Sequence, residues 1–412
     1  VVPTVELTLT APLAGGDAAP LEFPGLSALT ASLLDEGTTR RSGSEIAQAV
    51  EQLGGSLSTS ADWNAARIDI EMLAADLPIA LEILQEIATE PTFPEAQVQR
   101  LLRQALAELA RRQDRPSALA DDLITEELFP GTALAFPLLG TPESLKRIGR
   151  EETLRFFEHR FGPASSALLV GGDFDPANLA KEILKHFSAW QKPLDPPVCP
   201  VEAQKLSARK IIVLDRPHNP QTELRVAHGA PRRVDPRWAQ MTLLSSILGG
   251  KFMSRLNLNL RERHGFTYGA SSRFAEWRSA GLLVIATAVA NEVAAAAAQE
   301  ILTELDRLRS ELVPEEELHE AKDYLSGVFP FKIRTTGGVL SRLEEIALFN
   351  LPLDSHDRWL EELRATTSQQ LRELARLVLD PEHALLVAVG PAVKIASGLE
   401  LLGAVEVRQL PG

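Results

Sequence analysis

A single cysteine, Cys199, stands in a chain of 412 residues, so no internal disulfide can close and no multi-cysteine metal cage can be built. The count gives no sign of an oxidising compartment. The eight histidines are scattered as well. None is paired at three- or four-residue spacing, and His218 and His228 are the nearest two, so no imidazole cluster for a metal is in view. Basic residues fall short of acidic ones, 42 against 56, for a net charge of −14. Nucleic acids and anionic membranes call for the opposite surplus, so both are excluded as partners. The longest apolar run, 280–290, is far below the roughly 20 residues needed to cross a bilayer and reads as a buried strand. No charged segment followed by an apolar one opens the chain, so no signal peptide is read.

What is present is material for cores. With 45% hydrophobic residues, the length suits two domains of ordinary size. The chain reads as two halves repeating one order. In the first, an apolar-alternating strand leads to a helix at 25–36, a small-residue helix and strands around 46–73, and a helix pair at 77–89 and 94–112. TPESLKRIGREETLRFFEHRF, the strand ALLVGGDF and a helix at 176–187 close it. The second half runs through a strand at 210–214, a helix at 237–248, strands within 266–288, and helices at 292–310 and 314–329. It ends on a helix reaching Leu379 and the strand ALLVAVG at 384–390. PEAQVQRLLRQ at Pro94 matches PEEELHEAKDY at Pro314. A period of roughly 210 to 220 residues is a domain duplication, too long for a solenoid repeat. AWQKPLDPPVCPVEAQ lies between the halves, and Pro193, Pro196, Pro197 and Pro200 predict an extended linker. The expected division is 1–190, a linker at 191–207, and 208–412. Helices and strands mix without strict βαβ alternation, which predicts an α+β fold: in each half an antiparallel-rich sheet with helices packed on one face.

The most specific stretch is GGKFMSRLNLNLRERHGFTYGA at 249–270. Gly249 and Gly250 follow an apolar helix and allow a turn. Phe252, Leu256 and Leu260 have helical spacing, Arg261 falls at the helix end, Gly265 begins a strand, and Tyr268 sits within it. Taken whole, GG-x-F-x-SRLN-x-NLRE-x-x-G-x-x-YGA resembles the substrate-binding segment of pitrilysin-family peptidases, the inverted-motif zinc enzymes that include the mitochondrial-processing-peptidase type. The resemblance covers nearly the whole chain, TPESL and GGDF included. It implies two homologous metallohydrolase-like domains. It also implies that Arg261 and Tyr268 hold substrate backbone across a cleft from zinc and stabilise the carbonyl oxygen as negative charge develops. A guanidinium fork and a directed phenol donor suit that task. The ordinary alternative pairs Arg261 with Glu262 or another nearby carboxylate and packs Tyr268 in the sheet. Only Tyr268 and Tyr324 are tyrosines, which makes one at this site more telling.

The same resemblance places metal ligands, H-x-x-E-H, where this chain reads GLSALTASLLDEGT at 25–38. Leu26, Leu29 and Leu33 form one buried helical stripe, Gly37 suits the helix end, and Ala28, Ala31 and Ser32 share another face. These three occupy the positions of the two histidines and the general-base glutamate. Alanine has no donor atom and a neutral serine hydroxyl is a poor zinc ligand, so no metal is expected in this chain. Glu108 stands at the third-ligand position set by the frame from Pro91, and one carboxylate cannot hold a catalytic zinc. Ser32 lies in no GxSxG motif and has no histidine near it in sequence. The family's substrate-pairing edge strand aligns with GGSLSTSADW at 54–63, where Ser58, Thr59 and Ser60 offer little bulk, and an ordinary polar-faced strand is the equal alternative. Active members often have asparagine and alanine where Ser58 and Thr59 stand.

The combined expectation is a catalytically incomplete subunit of a heterodimeric zinc metalloendopeptidase, inactive alone. A zinc-bearing paralogue would supply H-x-x-E-H and the zinc, this chain Arg261 and Tyr268, and a peptide would be the substrate; in isolation the chain could form a homodimer. The alternatives are a structural subunit of the core-protein type, a peptide-binding protein without proteolysis, and an autonomous enzyme with a relocated metal site, for which no ligand cluster speaks. The compartment is unassigned: soluble, cytoplasmic by default, periplasmic if a signal has been removed. Val1 already lies inside the strand pattern VVPTVELTLTAPL where the family has a preceding strand, so a chain trimmed upstream is expected.

Overall fold

Alternation in VELTLTA lays Val5, Leu7 and Leu9 on one face of strand β1 (Thr4–Ala11). They stand opposite Met72, Ile70 and Ile68 of β3 (Ala66–Leu73), all buried. Such pairs on one face of an antiparallel ladder fix its register, because a one-residue slip would turn every apolar side chain outward. β2 (Ser56–Ala61) pairs with β3 and β4 (Ala167–Gly172) with β1, giving the antiparallel order β2-β3-β1-β4. Helix Leu77–Thr89 seals this core with Leu81, Leu84 and Ile87.

The second sheet holds β5 (Lys210–Asp215), β6 (Gln221–Gly229), β7 (Ala270–Phe274), β8 (Leu282–Ala290), β9 (Leu385–Gly390) and β10 (Val405–Gln409). Its order is β10-β5-β9-β6-β8-β7. From the β7 end, β7-β8-β6-β9 repeats β2-β3-β1-β4 strand for strand, so the duplication read in the sequence is present in the topology. β5 and β10 extend this sheet in parallel beyond β9. Antiparallel pairs dominate both sheets, and the fold is α+β as expected.

This computed structural model describes residues 2–192 and 195–410. Val1 of the expected opening strand and Pro193 of the expected linker lie outside the described residues. Residues 195–206 form neither helix nor strand; the Val201 and Gln204 N–H groups donate to the carbonyls of Ser279 and Leu128, both at 2.7 Å. No described helix is long and apolar enough to cross a membrane.

The described residues divide into two compact units that are not continuous in sequence. One takes them from Val1–Arg111, Gly131–Cys199 and Pro330–Leu351, the other from Arg112–Pro130, Pro200–Phe329 and Pro352–Gly412. A helix from each half of the chain thus belongs to the unit built mainly by the other. Helix Thr336–Phe349 lies on the polar face of the first sheet, where Arg67 of β3 pairs with Glu344 and Gly171 of β4 meets Thr336. Helix Pro116–Leu128 lies on the corresponding face of the second, where Arg225 of β6 donates to Asp121 at 2.8 Å. Alternation puts Arg67 and Arg225 opposite the core-facing Ile68 and Leu224. Each sheet therefore carries one helix on its second face besides the main cover expected from the sequence.

Candidate functional site

In the first unit the helix expected over 25–36 is shorter, Leu26–Ser32. Leu33 and Leu34 are fully buried, so the chain dives into the core there and the N–H groups close tight turns on Thr30 and Ala31. At the other end Gly25 has φ 93°, and a Cβ would stand 2.5 Å from the Leu139 carbonyl oxygen. Only glycine admits the 139–140 loop so close. Leu26, Leu29 and Leu33 form the predicted buried stripe.

That approach shapes a cavity of about 520 Å³, walled by Ala28, Leu29 and Ser32, by Leu101, Ala105 and Glu108 of helix Glu95–Gln113, and by Leu139 and Leu145. The structure thus brings Ala28, Ser32 and Glu108 together. Ala31, expected on the same face, is 1% exposed and belongs to the core instead. Residues one turn apart share a face, whereas a three-residue step falls short of a full turn. The Ser32 hydroxyl donates to the Ala28 carbonyl at 2.9 Å. Arg111 grips Glu108 through Nη2 and Nε at 2.7 and 3.0 Å. Two positions have no donor atom, one hydroxyl is spent on the backbone, and the carboxylate is held by a cation. These residues do not fit a catalytic zinc. Among the described residues no three His, Cys, Asp or Glu side chains form a metal-binding group.

Helix Leu26–Ser32 also packs against β2. β2 is an edge strand whose only described partner is β3, and its Ser58 and Ser60 are exposed while Thr59 is half-buried. The Thr59 hydroxyl donates to Asp35 at 3.1 Å. Burial raises the Asp35 pKa above the usual carboxylate value, with hydrogen bonds from its own backbone and from Thr59 opposing the shift.

The 249–270 segment lies in the second unit. Gly249 packs its backbone on β7, where a Cβ would be 2.6 Å from the Ser272 nitrogen. The chain then turns through Phe252 and winds into a wide-turned helix, Asn257–Arg263. Leu256 and Leu260 are fully buried. Phe252, expected in the same row, is instead exposed, and its ring lies under the Arg261 guanidinium, 3.7 Å from Cζ to centroid. Arg261 also donates through Nε and Nη2 to Glu262, at 2.8 and 2.5 Å. The local ion pair is real. The other half of that ordinary alternative is not, for Tyr268 is 92% exposed and packs against no sheet.

Tyr268 also stands outside the predicted strand, in a bend ahead of β7. Side-chain hydrogen bonds replace the ladder here. The Gly269 N–H donates to the Thr267 hydroxyl, which lies 2.8 Å from the Ala288 carbonyl. Asn257 accepts the Ala270 N–H at 2.8 Å and donates to the Ala270 carbonyl at 3.0 Å. The helix itself is tied down from behind. Asn259 donates to Glu300 and Glu304, both at 2.8 Å, and Arg255 forks onto Glu317. The sequence placed Phe252 in an apolar row and gave no role to Asn257 or Thr267. Two asparagines within an apolar helical row were the available sign, since a buried amide needs partners.

Residues 13–142 match the family model described as Insulinase (Peptidase family M16), and residues 147–325 match that described as Peptidase M16 inactive domain. A Streptomyces coelicolor protein named an uncharacterized zinc protease is 24% identical over 90% of this chain and 82% of its own length. Among solved structures, a peptidase M16 inactive domain from Pseudomonas fluorescens superposes with a TM-score of 0.85 at 24% identity, covering 96% of this chain and 94% of that one. A protease from Helicobacter pylori reaches 0.87 at 17% identity, covering 94% of each. At these identities the structural likeness speaks for the fold.

Proposed function

Because the chain belongs to the insulinase-type peptidases of family M16, we propose that it is the non-zinc subunit of a two-chain zinc metalloendopeptidase. It supplies Arg261 and Tyr268 to a peptide whose scissile bond is cut at a partner chain bearing H-x-x-E-H. Zinc held by that partner supplies Lewis acidity and an activated water; this chain binds and orients. The observation carrying the reading is Tyr268. A nearly bare tyrosine, on a bend fixed by side-chain hydrogen bonds, stands seven residues from a braced arginine, in a chain whose metal positions do not fit zinc.

The Tyr268 phenol is free to donate one directed hydrogen bond to a peptide carbonyl. The Arg261 fork is prepositioned on Phe252, with Nε and Nη2 on Glu262 and Nη1 left for substrate. Donors fixed in advance are worth most when charge develops on the carbonyl oxygen. Purifying this chain, a zinc-motif paralogue and their mixture, then measuring zinc and cleavage of a quenched fluorescent peptide, tests the proposal. Activity is expected only in the mixture, with zinc in the paralogue. A paralogue equally active with and without this chain rejects it.

A structural-subunit reading is favoured by one observation, the Arg261–Glu262 pair, which a scaffold could keep for its own sake. R261A/Y268A separates the two. A scaffold tolerates the change, whereas the complementing subunit loses turnover while still assembling.

A further inference from the structure

We propose, independently of the peptidase reading, that the open edge of β10 docks a second copy of this chain, the two β10 strands running antiparallel about a twofold axis at Val407. β10 ends the second sheet, and among the described residues its only strand partner is β5. The ladder between them fixes which backbone groups look outward. The Ile211 N–H donates to the Ala404 carbonyl, whereas the Lys210 N–H donates to the Ala384 carbonyl on the other side of β5. Successive residues of a strand direct N–H and C=O to alternate sides, so in this parallel register Ala404, Glu406 and Arg408 face β5. Val405, Val407 and Gln409 turn both groups away from the sheet.

An edge of this kind complements itself. The twofold axis sets Val407 against Val407 of the second copy and Val405 against its Gln409, and every outward N–H then meets an outward carbonyl. The same axis sets Glu406 opposite Arg408 of the second copy, and Arg408 opposite its Glu406. These are the closer, non-hydrogen-bonded positions, where opposite charges attract and like charges repel. Both side chains lie on the face toward helix Pro116–Leu128, whose Glu127 accepts from Arg408 and from Lys210, each at 2.7 Å. Two acidic and two basic groups balance there, so a second set arrives without local repulsion. On the other face Val407 stands beside Val213 of β5 and is 48% exposed, and its symmetry mate supplies apolar cover. Sheet edges are commonly blunted by lysine, proline or a bulge. VEVRQ has neither lysine nor proline, no bulge interrupts its register, and its charges stand in the order this axis pairs. A twofold contact uses the same patch on both copies and closes at two. β7, which follows the Tyr268 bend, lies at the far end of the sheet, so this contact leaves that segment open.

The test is sedimentation velocity on the intact chain alone over a concentration series, with circular dichroism confirming the fold of every variant. A reversible dimer is expected. Val407→Pro removes an outward N–H and no bond to β5, so it should weaken dimerisation by about 10-fold or more. Glu406→Arg and Arg408→Glu each set like charges against one another in their own dimers, and each should sediment as a monomer where the parent is dimeric. Mixed in equal amounts the two should dimerise again, because each then offers the charges the other lacks. That recovery also shows that neither reversal has unfolded the edge. R261A/Y268A should dimerise like the parent. A parent that stays monomeric throughout, a dimer that survives V407P and both reversals, or a mixture of the reversals no more dimeric than either alone overturns the proposal. A monomeric parent whose V407P variant no longer associates with the zinc-motif paralogue assigns the edge to that chain, and overturns it too.

Discussion

The two units present the same four-strand topology and opposite kinds of side chain at corresponding places. In the first, the helix leading from the sheet carries no metal-competent atom at Ala28 and Ala31, and Ser32 satisfies itself on the backbone. In the second, the 249–268 segment keeps a guanidinium stacked on a ring, a bare phenol, and a set of amide and hydroxyl bonds that hold both. Packing accommodates both alanines, Ala28 beside the cleft and Ala31 within the core, because alanine suits a helix at either place. The second arrangement contains an exposed tyrosine that folding alone does not need. The difference sets a site that folding explains beside one that it does not.

The contrast breaks most sharply at Arg261 and Tyr268. If the proposed pairing holds, replacing both with alanine is expected to lower turnover of the mixture with a zinc-motif paralogue by about 100- to 1,000-fold, by analogy with removal of an oxyanion donor, while size-exclusion chromatography still shows the two chains together. The converse change restores chemistry to the first unit. A28H/S32H/R111A places two imidazoles one turn apart and removes the Arg111 guanidinium from Glu108, so metal analysis should find about one zinc per chain against none in the parent. Keeping Arg111 should weaken that binding, since the guanidinium competes for the carboxylate.

Smaller effects sharpen the picture. Asn257→Ala leaves the Ala270 amide and carbonyl without their partners in a buried place, and a loss of about 1–3 kcal/mol is expected in denaturant melts, with reduced turnover as the Tyr268 bend loosens. Phe252→Ala removes a cation–π contact of about 0.5–1 kcal/mol at an exposed site, which predicts a two- to five-fold change in kcat/KM at roughly unchanged stability. Asp35 gives the smallest. Its folded pKa is raised by burial, so its contribution to stability is present at low pH and lost as pH rises through the folded pKa. Asp35→Asn should raise Tm slightly at pH 7, with the gap closing near and below about pH 4.

Much of this was legible in the sequence for identifiable reasons. Val5, Leu7 and Leu9 alternate cleanly, so the strand followed. Arg261 and Tyr268 lie in one contiguous segment whose glycines and apolar row mark its turns. The strand assigned to Tyr268 failed because Asn257 and Thr267 take over the hydrogen bonds a ladder would have made, and such capture by side chains leaves little mark in periodicity. The cavity was hidden for another reason. Leu139 and Leu145 reach it from more than a hundred residues beyond Ala28, and only the tight approach at Gly25 reveals why they meet it. The exchanged helices were hidden too. Arg67 and Arg225 each lie under a helix that carries the partner carboxylate, from a part of the chain far away in sequence.

That exchange has a consequence for how the protein is made. Translation proceeds from the N-terminus, and domains ordinarily fold in the order they emerge. Here the first sheet is finished early, but the helix covering its polar face spans Thr336–Phe349. The N-terminal unit must therefore wait on the ribosome for residues synthesised after most of its neighbour. Helix Pro116–Leu128, by contrast, is ready long before β6 and β9, the strands it covers, exist. Nascent chains stalled before residue 330 should leave the first unit open to protease, and those stalled after 351 should close it.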